Sequence, residues 1–315
     1  MNRREFLLGT AGMAGLRGVA EDAPIIDTHI HLYDPTRPGG VPWPDRSEAV
    51  LYQRTLPDRF RSVTRGLGIV GVIEVECSPW LEDNQWVLDI AAKDRLIVGT
   101  VGNLAVGKPE FGRHLDQLHH NPLFRGVRYD FRGQVAVPEM ISRLKALANA
   151  GLELDSPQPD LVLMRDLVRL TDRIPELRVV VDHLPNVELP RDAQNRRDYE
   201  SHLRELKPRP QVYAKVSEVL QRVSGQVSDD LNLYRPRLDE LWDIFGPDRL
   251  IFASDWPVSD LKGPYAQLLK VVRRYFAEKG GVAAEKFFWK NSLAAYRWVK
   301  RQPNQPPPES RIVTF

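Results

Sequence analysis

The sequence predicts a single-domain α/β protein folded as a closed (β/α)8 TIM barrel. Three observations lead there. The chain has 315 residues, enough for one large barrel. Eight short apolar runs, many rich in β-branched residues, read as strands, and amphipathic stretches of helical period separate several of them. An open doubly wound sheet shares this alternation, but no glycine-rich phosphate turn follows any of the strands, which argues against a nucleotide site.

The first strand is Pro24 to Leu32, where alternation from Ile26 on puts Asp27, His29 and His31 on one face. The second, Ile69 to Glu76, places Glu74 and Glu76 on one face, and a helix over Asn84 to Lys93 follows. Arg95 to Val101 is the third strand, with a helix over Phe111 to His119. Phe124 to Tyr129 is the fourth; the helix after it, Val137 to Ala150, carries Met140, Ile141, Leu144 and Leu147 on one face. Gly151 to Leu154 is a short fifth strand, followed by a helix over Asp160 to Ile174. Arg178 to His183, Gln211 to Val216 and Arg249 to Ser254 complete the eight. Two stretches interrupt the alternation: Pro35 to Pro57, a proline-rich loop expected over the barrel mouth, and Gln221 to Arg237, a polar connection. The domain boundaries read as 1–20 for a targeting segment, 21–300 for the barrel and 301–315 for a proline-rich tail expected to wrap the surface or a partner subunit of a homo-oligomer.

Residues 1–20 read as an address. Arg3-Arg4 precedes an apolar run, Phe6 to Leu16, too short to span a bilayer, and Gly18-Val19-Ala20 supplies small residues for cleavage. The pattern is that of a twin-arginine export signal, which predicts a periplasmic protein. An ordinary amphipathic N-terminal helix is the other reading, and it would leave the protein in the cytoplasm. Three arginines and one glutamate fall in this segment, so the remainder carries as many acidic as basic side chains. That balance leaves no footprint for nucleic acid and no polybasic membrane patch. Cys77 is the single cysteine, so no intramolecular disulfide forms.

Barrel enzymes build their sites at the C-terminal ends of the strands. There this chain delivers His29 and His31, then Glu74 and Glu76, Arg128, Glu153 or Asp155, Asp182 and His183, Lys215 and Ser217, and finally Ser254 and Asp255. A histidine pair beside the turn Tyr33-Asp34-Pro35 could be mere surface, and a lone histidine or aspartate after an apolar strand is commonly a cap. Four such groups on the ends of different or correctly spaced strands point instead to a metal or substrate site.

The constellation His29-Ile30-His31, Val181-Asp182-His183-Leu184-Pro185-Asn186, Tyr213-Ala214-Lys215-Val216-Ser217 and Phe252-Ala253-Ser254-Asp255-Trp256-Pro257 resembles the amidohydrolase superfamily. The similarity is closest to the branch of the sugar-acid lactonases and the pyrone-dicarboxylate lactonase, and it runs from about Pro24 to about Trp298. The resemblance implies a hydrolase that opens a small lactone. Asp255 would be the general base. His29, His31 and His183, alone or with Asp255 through one Zn2+, would polarise the carbonyl, and metal-independent catalysis stays open. Arg128 and Lys215 would hold substrate, with Glu76 and Glu153 as further carboxylates and Tyr33, Trp80 and Trp256 as apolar walls. No second metal-ligand set is visible, so one ion is expected. Carboxylates outnumber cations at the strand ends, which favours a neutral lactone over a strongly anionic substrate. A metal-dependent decarboxylase or hydratase of the same fold, or a sugar-acid-binding barrel without catalysis, are the alternatives.

Overall fold

The computed structural model describes residues 23–307. The export signal read over residues 1–20 and the end of the tail, 308–315, lie outside them. Eight parallel strands alternate with helices: β1 (Ile25–Ile30), β2 (Ile69–Val75), β3 (Ile97–Gly102), β4 (Phe124–Arg128), β5 (Glu153–Ser156), β6 (Val179–Val181), β7 (Val212–Val216) and, after a small antiparallel hairpin of β8 (Arg222–Val223) and β9 (Gln226–Val227), β10 (Leu250–Phe252). Hydrogen-bonded neighbours run in chain order from β1 to β7 and then β10.

The seam between β1 and β10 closes the barrel without a regular ladder. A single bridge joins Ile30 to Trp256. Asp255 N–H donates to the His29 carbonyl (2.9 Å) and His31 N–H to the Trp256 carbonyl (2.8 Å). Asp27 ties the seam from below, accepting from Ser254 N–H (2.9 Å) and from the Tyr265 hydroxyl (2.9 Å). The seam therefore delivers both ends of the histidine–aspartate constellation to the same place.

Two differences from the expected elements have local causes. The fifth strand starts at Glu153 and ends at Ser156, because Gly151, at φ 75°, turns the chain out of the preceding helix and Leu152 N–H still bonds back to Leu147. The shift brings Asp155 fully into the strand. The connection expected over Gln221 to Arg237 is a hairpin followed by a helix from Leu231, capped by the Asp230 carboxylate on Asn232 N–H.

Apolar side chains of Ile26, Ile73, Val98, Val180 and Ile251 fill the lower barrel, where they meet Trp289, Tyr296 and Trp298 from the C-terminal segment. The barrel is thus a packed core closed from below. The described part of the tail continues beneath it. Gln305 is buried and its amide donates to the Val70 and Arg95 carbonyls (3.0 Å each), while Arg301 caps the carbonyls of Ala91, Asp94 and Ile97. Among the described residues no helix is long and apolar enough to cross a membrane.

Candidate active site

Nε2 of His29, His31 and His183 lie 3.4, 3.2 and 3.9 Å from one atom, Asp255 Oδ1, at the C-terminal ends of β1, β6 and β10. His183 (φ 54°), Glu218 (φ 50°) and Asp255 (φ 61°) each follow a strand by two or three residues in the left-handed region. For non-glycine residues that conformation costs roughly 1–3 kcal/mol each and persists only where the surroundings enforce it. Here it turns three functional side chains inward toward one point.

Hydrogen bonds behind the imidazoles fix their direction. His31 Nδ1 lies 2.8 Å from the Val75 carbonyl, which can only accept, so Nδ1 carries the hydrogen and Nε2 of the neutral ring offers a lone pair to Asp255. A lone pair facing a carboxylate calls for a proton or a cation between them. His183 Nδ1 is 2.8 Å from the Ser217 hydroxyl. His29 Nδ1 lies 3.1 Å from Lys215 Nζ and 3.5 Å from Asp182 Oδ1, which leaves its Nε2 facing the mouth. Both His29 Nε2 and Asp255 Oδ1 are buried without a hydrogen-bond partner among the described residues. Tetrahedral ligation with bonds of about 2.0–2.1 Å separates donor atoms by about 3.3–3.4 Å. The separations of His29 and His31 from Asp255 match that, with His183 a looser neighbour, so the donors suit one divalent metal ion.

The model of one family, Amidohydrolase, matches residues 26–298. This chain belongs to the amidohydrolase family. It is 28% identical over 247 residues to an L-fucono-1,5-lactonase of Burkholderia ambifaria, covering 76% of this chain and 82% of that protein. An amidohydrolase of Burkholderia multivorans solved with bound zinc superposes with a TM-score of 0.75 at 22% identity, over 88% of this chain and all of the other. A probable 2-pyrone-4,6-dicarboxylic acid hydrolase of Acinetobacter baumannii, solved with citric acid, follows at a TM-score of 0.64 and 16% identity, over 87% of this chain and 99% of the other.

Electrostatics separate the roles within this amidohydrolase. Burial would raise the Asp255 carboxyl, but His183, His31 and His29 beside it overturn that and hold it far below the usual carboxylate range. Burial, reinforced by Lys215, lowers His29, and burial lowers His183, so both rings are neutral near pH 7 and free to ligate. Beneath them lies a buried ionic cluster. Lys215 Nζ donates to Asp155 Oδ2 (2.5 Å) and pairs with Asp182 Oδ1 (2.8 Å); Asp155 Oδ1 accepts from the Tyr296 hydroxyl (2.8 Å). Arg128 Nε pairs with Asp182 Oδ2 at 3.0 Å. The two contacts to Asp182 are charge pairs rather than aligned hydrogen bonds.

Several residues expected at the site are placed elsewhere. Lys215 is fully buried and spent on Asp155, Asp182 and His29, so it is a positioning cation and does not reach substrate. Glu153 lies lower on β5, fully buried, and Gly126 opposite it leaves the room its carboxyl occupies. Trp256 packs between Phe60 (5.2 Å between rings) and the Arg59 guanidinium (5.1 Å), making it part of the rim. Arg128 and Glu76 do reach the mouth; each keeps about a fifth of its side chain exposed, and they lie 3.9 Å apart. Glu74 does not share a face with the site, because Ile73 and Val75 on either side of it point into the barrel.

The site also holds a residue the sequence reading did not single out. Glu218 offers a carboxylate within 4.8 Å of the donor atoms of His183 and Asp255, which already belong to the centre, so it extends that set and forms no separate one. Burial, then the neighbouring Asp255, push it up to about 7 despite Lys262 at 2.9 Å. Lys262 also holds Asn186 Oδ1 at 2.6 Å, so Glu218 sits in a clamp of its own. Strand period does not mark it, because Glu218 lies beyond the seventh strand and turns inward through a left-handed backbone.

Proposed function

We propose that this amidohydrolase opens a small, neutral lactone by hydrolysis at the centre formed by His29, His31, His183 and Asp255. The observation that carries the reading is the convergence of three imidazole nitrogens on one buried, unpartnered carboxylate oxygen at the catalytic end of the barrel. The L-fucono-1,5-lactonase relative supports the substrate class, and the zinc in the Burkholderia multivorans structure supports the choice of ion. His29, His31 and Asp255, with His183, would hold one Zn2+, which when bound supplies Lewis acidity for the lactone carbonyl.

This chain's own groups do the rest. Water attacks the carbonyl carbon as Asp255 takes its proton; the ring C–O bond then breaks and the same proton passes to the departing ring oxygen, giving a hydroxy acid. Asp255 is held ionised by the imidazoles around it, so it has the free lone pair that accepting the proton of the water requires. Arg128, half committed to Asp182, turns its remaining N–H groups to the mouth, where they orient ring oxygens. Lys215 and Asp182 hold His29 in place from behind. Export through the twin-arginine route rests on residues 1–20 alone.

The test is a panel of five- and six-membered lactones followed by acid release and by NMR of the product. Ring opening to the hydroxy acid without carbon dioxide is expected, and D255N should lower kcat by about 10³-fold. Release of carbon dioxide would make the enzyme a decarboxylase, and unchanged turnover in D255N would remove the base assignment.

A further inference from the structure

Three turns leave the barrel side by side, after β6, β7 and β10, and each opens on a residue in the left-handed region: His183, Glu218 and Asp255. Asn186 N–H closes the first turn on the His183 carbonyl (3.0 Å). In the third, Ser259 N–H bonds to the Asp255 carbonyl (2.9 Å) and Lys262 N–H to the Ser259 carbonyl (2.9 Å). Each turn thus carries a polar side chain a fixed step from its strained residue, or on it.

One ammonium joins all three. Lys262 Nζ donates to Asn186 Oδ1 (2.6 Å), to Glu218 Oε2 (2.9 Å) and, at greater length, to the Glu218 carbonyl (3.4 Å). Asn186 Nδ2 donates to the same Glu218 oxygen, which closes the triangle. An ammonium has three N–H groups, and here all three are spent within the chain. Lys262 therefore has no donor left for a substrate, although 29% of its side chain is exposed.

The triangle bears on one distance in particular. The separations of His29 and His31 from Asp255 are set across the seam between β1 and β10. That between His183 Nε2 and Asp255 Oδ1 (3.9 Å) is set instead between the first and third turns, which Lys262 ties together through Asn186 and Glu218. Left-handed residues relax unless their surroundings hold them, and the triangle is what connects these three to one another.

We propose that Lys262 is a positioning residue of the hydrolytic centre, which fixes His183 against Asp255 by tying the turns after β6, β7 and β10. That the reaction is lactone opening rests on the function proposed above; the tie itself does not need that chemistry.

The test combines crystal structures of wild type and K262A with their kinetics on a δ-lactone. In K262A, Glu218 should leave the left-handed region and the His183–Asp255 pair should shift by about 1 Å, with kcat lower by about 10- to 100-fold and KM within about threefold. Ethylammonium should restore part of the lost kcat, because the exposed side of Lys262 lets a small amine reach the place of Nζ. A fold that had merely loosened would gain nothing from it. N186A removes one corner of the triangle, should give the same changes in smaller measure, and decides the matter if K262A does not fold. An unmoved His183–Asp255 pair, or a kcat that ethylammonium does not raise, would overturn the proposal. So would a raised KM at unchanged kcat, which would put Lys262 on the substrate. If wild type opens no lactone, the lactonase reading fails, and the structures alone decide: a shifted pair upholds the tie and an unmoved one removes it.

Discussion

Two clusters of ionisable side chains lie one above the other in this barrel, and they are built on opposite rules. In the lower one, Lys215, Asp155, Asp182 and Tyr296 are fully buried and each carboxylate faces a cation: Asp155 accepts from Lys215 and Tyr296, and Asp182 lies in charge pairs with Lys215 and Arg128. In the upper one, His29, His31, His183 and Asp255 are almost as buried, yet His29 Nε2 and Asp255 Oδ1 have no hydrogen-bond partner, and two of the four residues hold left-handed backbone. A protein tolerates unpaired, strained polar groups only where something else completes them. The lower cluster belongs to the fold and the upper one to the chemistry. His29 belongs to both, since its Nδ1 faces Lys215 and Asp182 while its Nε2 faces Asp255.

The largest effect that could break this division is K215M. It strands two carboxylates in the barrel interior, which should cost about 3–5 kcal/mol, read as a drop in the urea midpoint. Adding D182N should recover part of the loss by removing one of the stranded charges. D255N, in contrast, should stay within about 1 kcal/mol of wild type while turnover collapses. Equal destabilisation by K215M and D255N would erase the distinction between the clusters.

A smaller effect comes from the seam beside them. Burial raises the Asp27 carboxyl to about 6 against its hydrogen bonds from Ser254 and Tyr265. A raised carboxyl contributes stability that is fully present below about pH 4 and lost as pH rises through 6, in total about 3 kcal/mol or less. Asp182 and Asp255, held low, act the other way and only below pH 4. D27N should therefore flatten the fall in urea midpoint between pH 4 and pH 7, and an unchanged slope would show that Asp27 titrates normally.

Much of this was legible in the sequence because it lies in local pattern. The eight apolar runs and the strand-end histidines and Asp255 follow from alternation and spacing, and the structure brings those four side chains together. What could not be read was depth. Lys215 and Glu153 carry the residue types of a binding site, but whether a strand residue lies at the mouth or one layer lower depends on register between strands, which no single strand encodes. The bulge between Asp27 and Ile30 likewise breaks the simple alternation on β1. Glu218 escaped notice because its inward turn comes from a left-handed backbone rather than from strand period.

The most direct test of the account is the metal content of the purified protein by elemental analysis, paired with lactone turnover before and after chelation, for wild type and for H31A. About one zinc per chain in wild type, chelator-sensitive turnover, and little metal and little turnover in H31A are the predicted results. Full turnover of metal-free wild type, or full zinc occupancy in H31A, would contradict the central claim that these side chains form a single-ion hydrolytic centre.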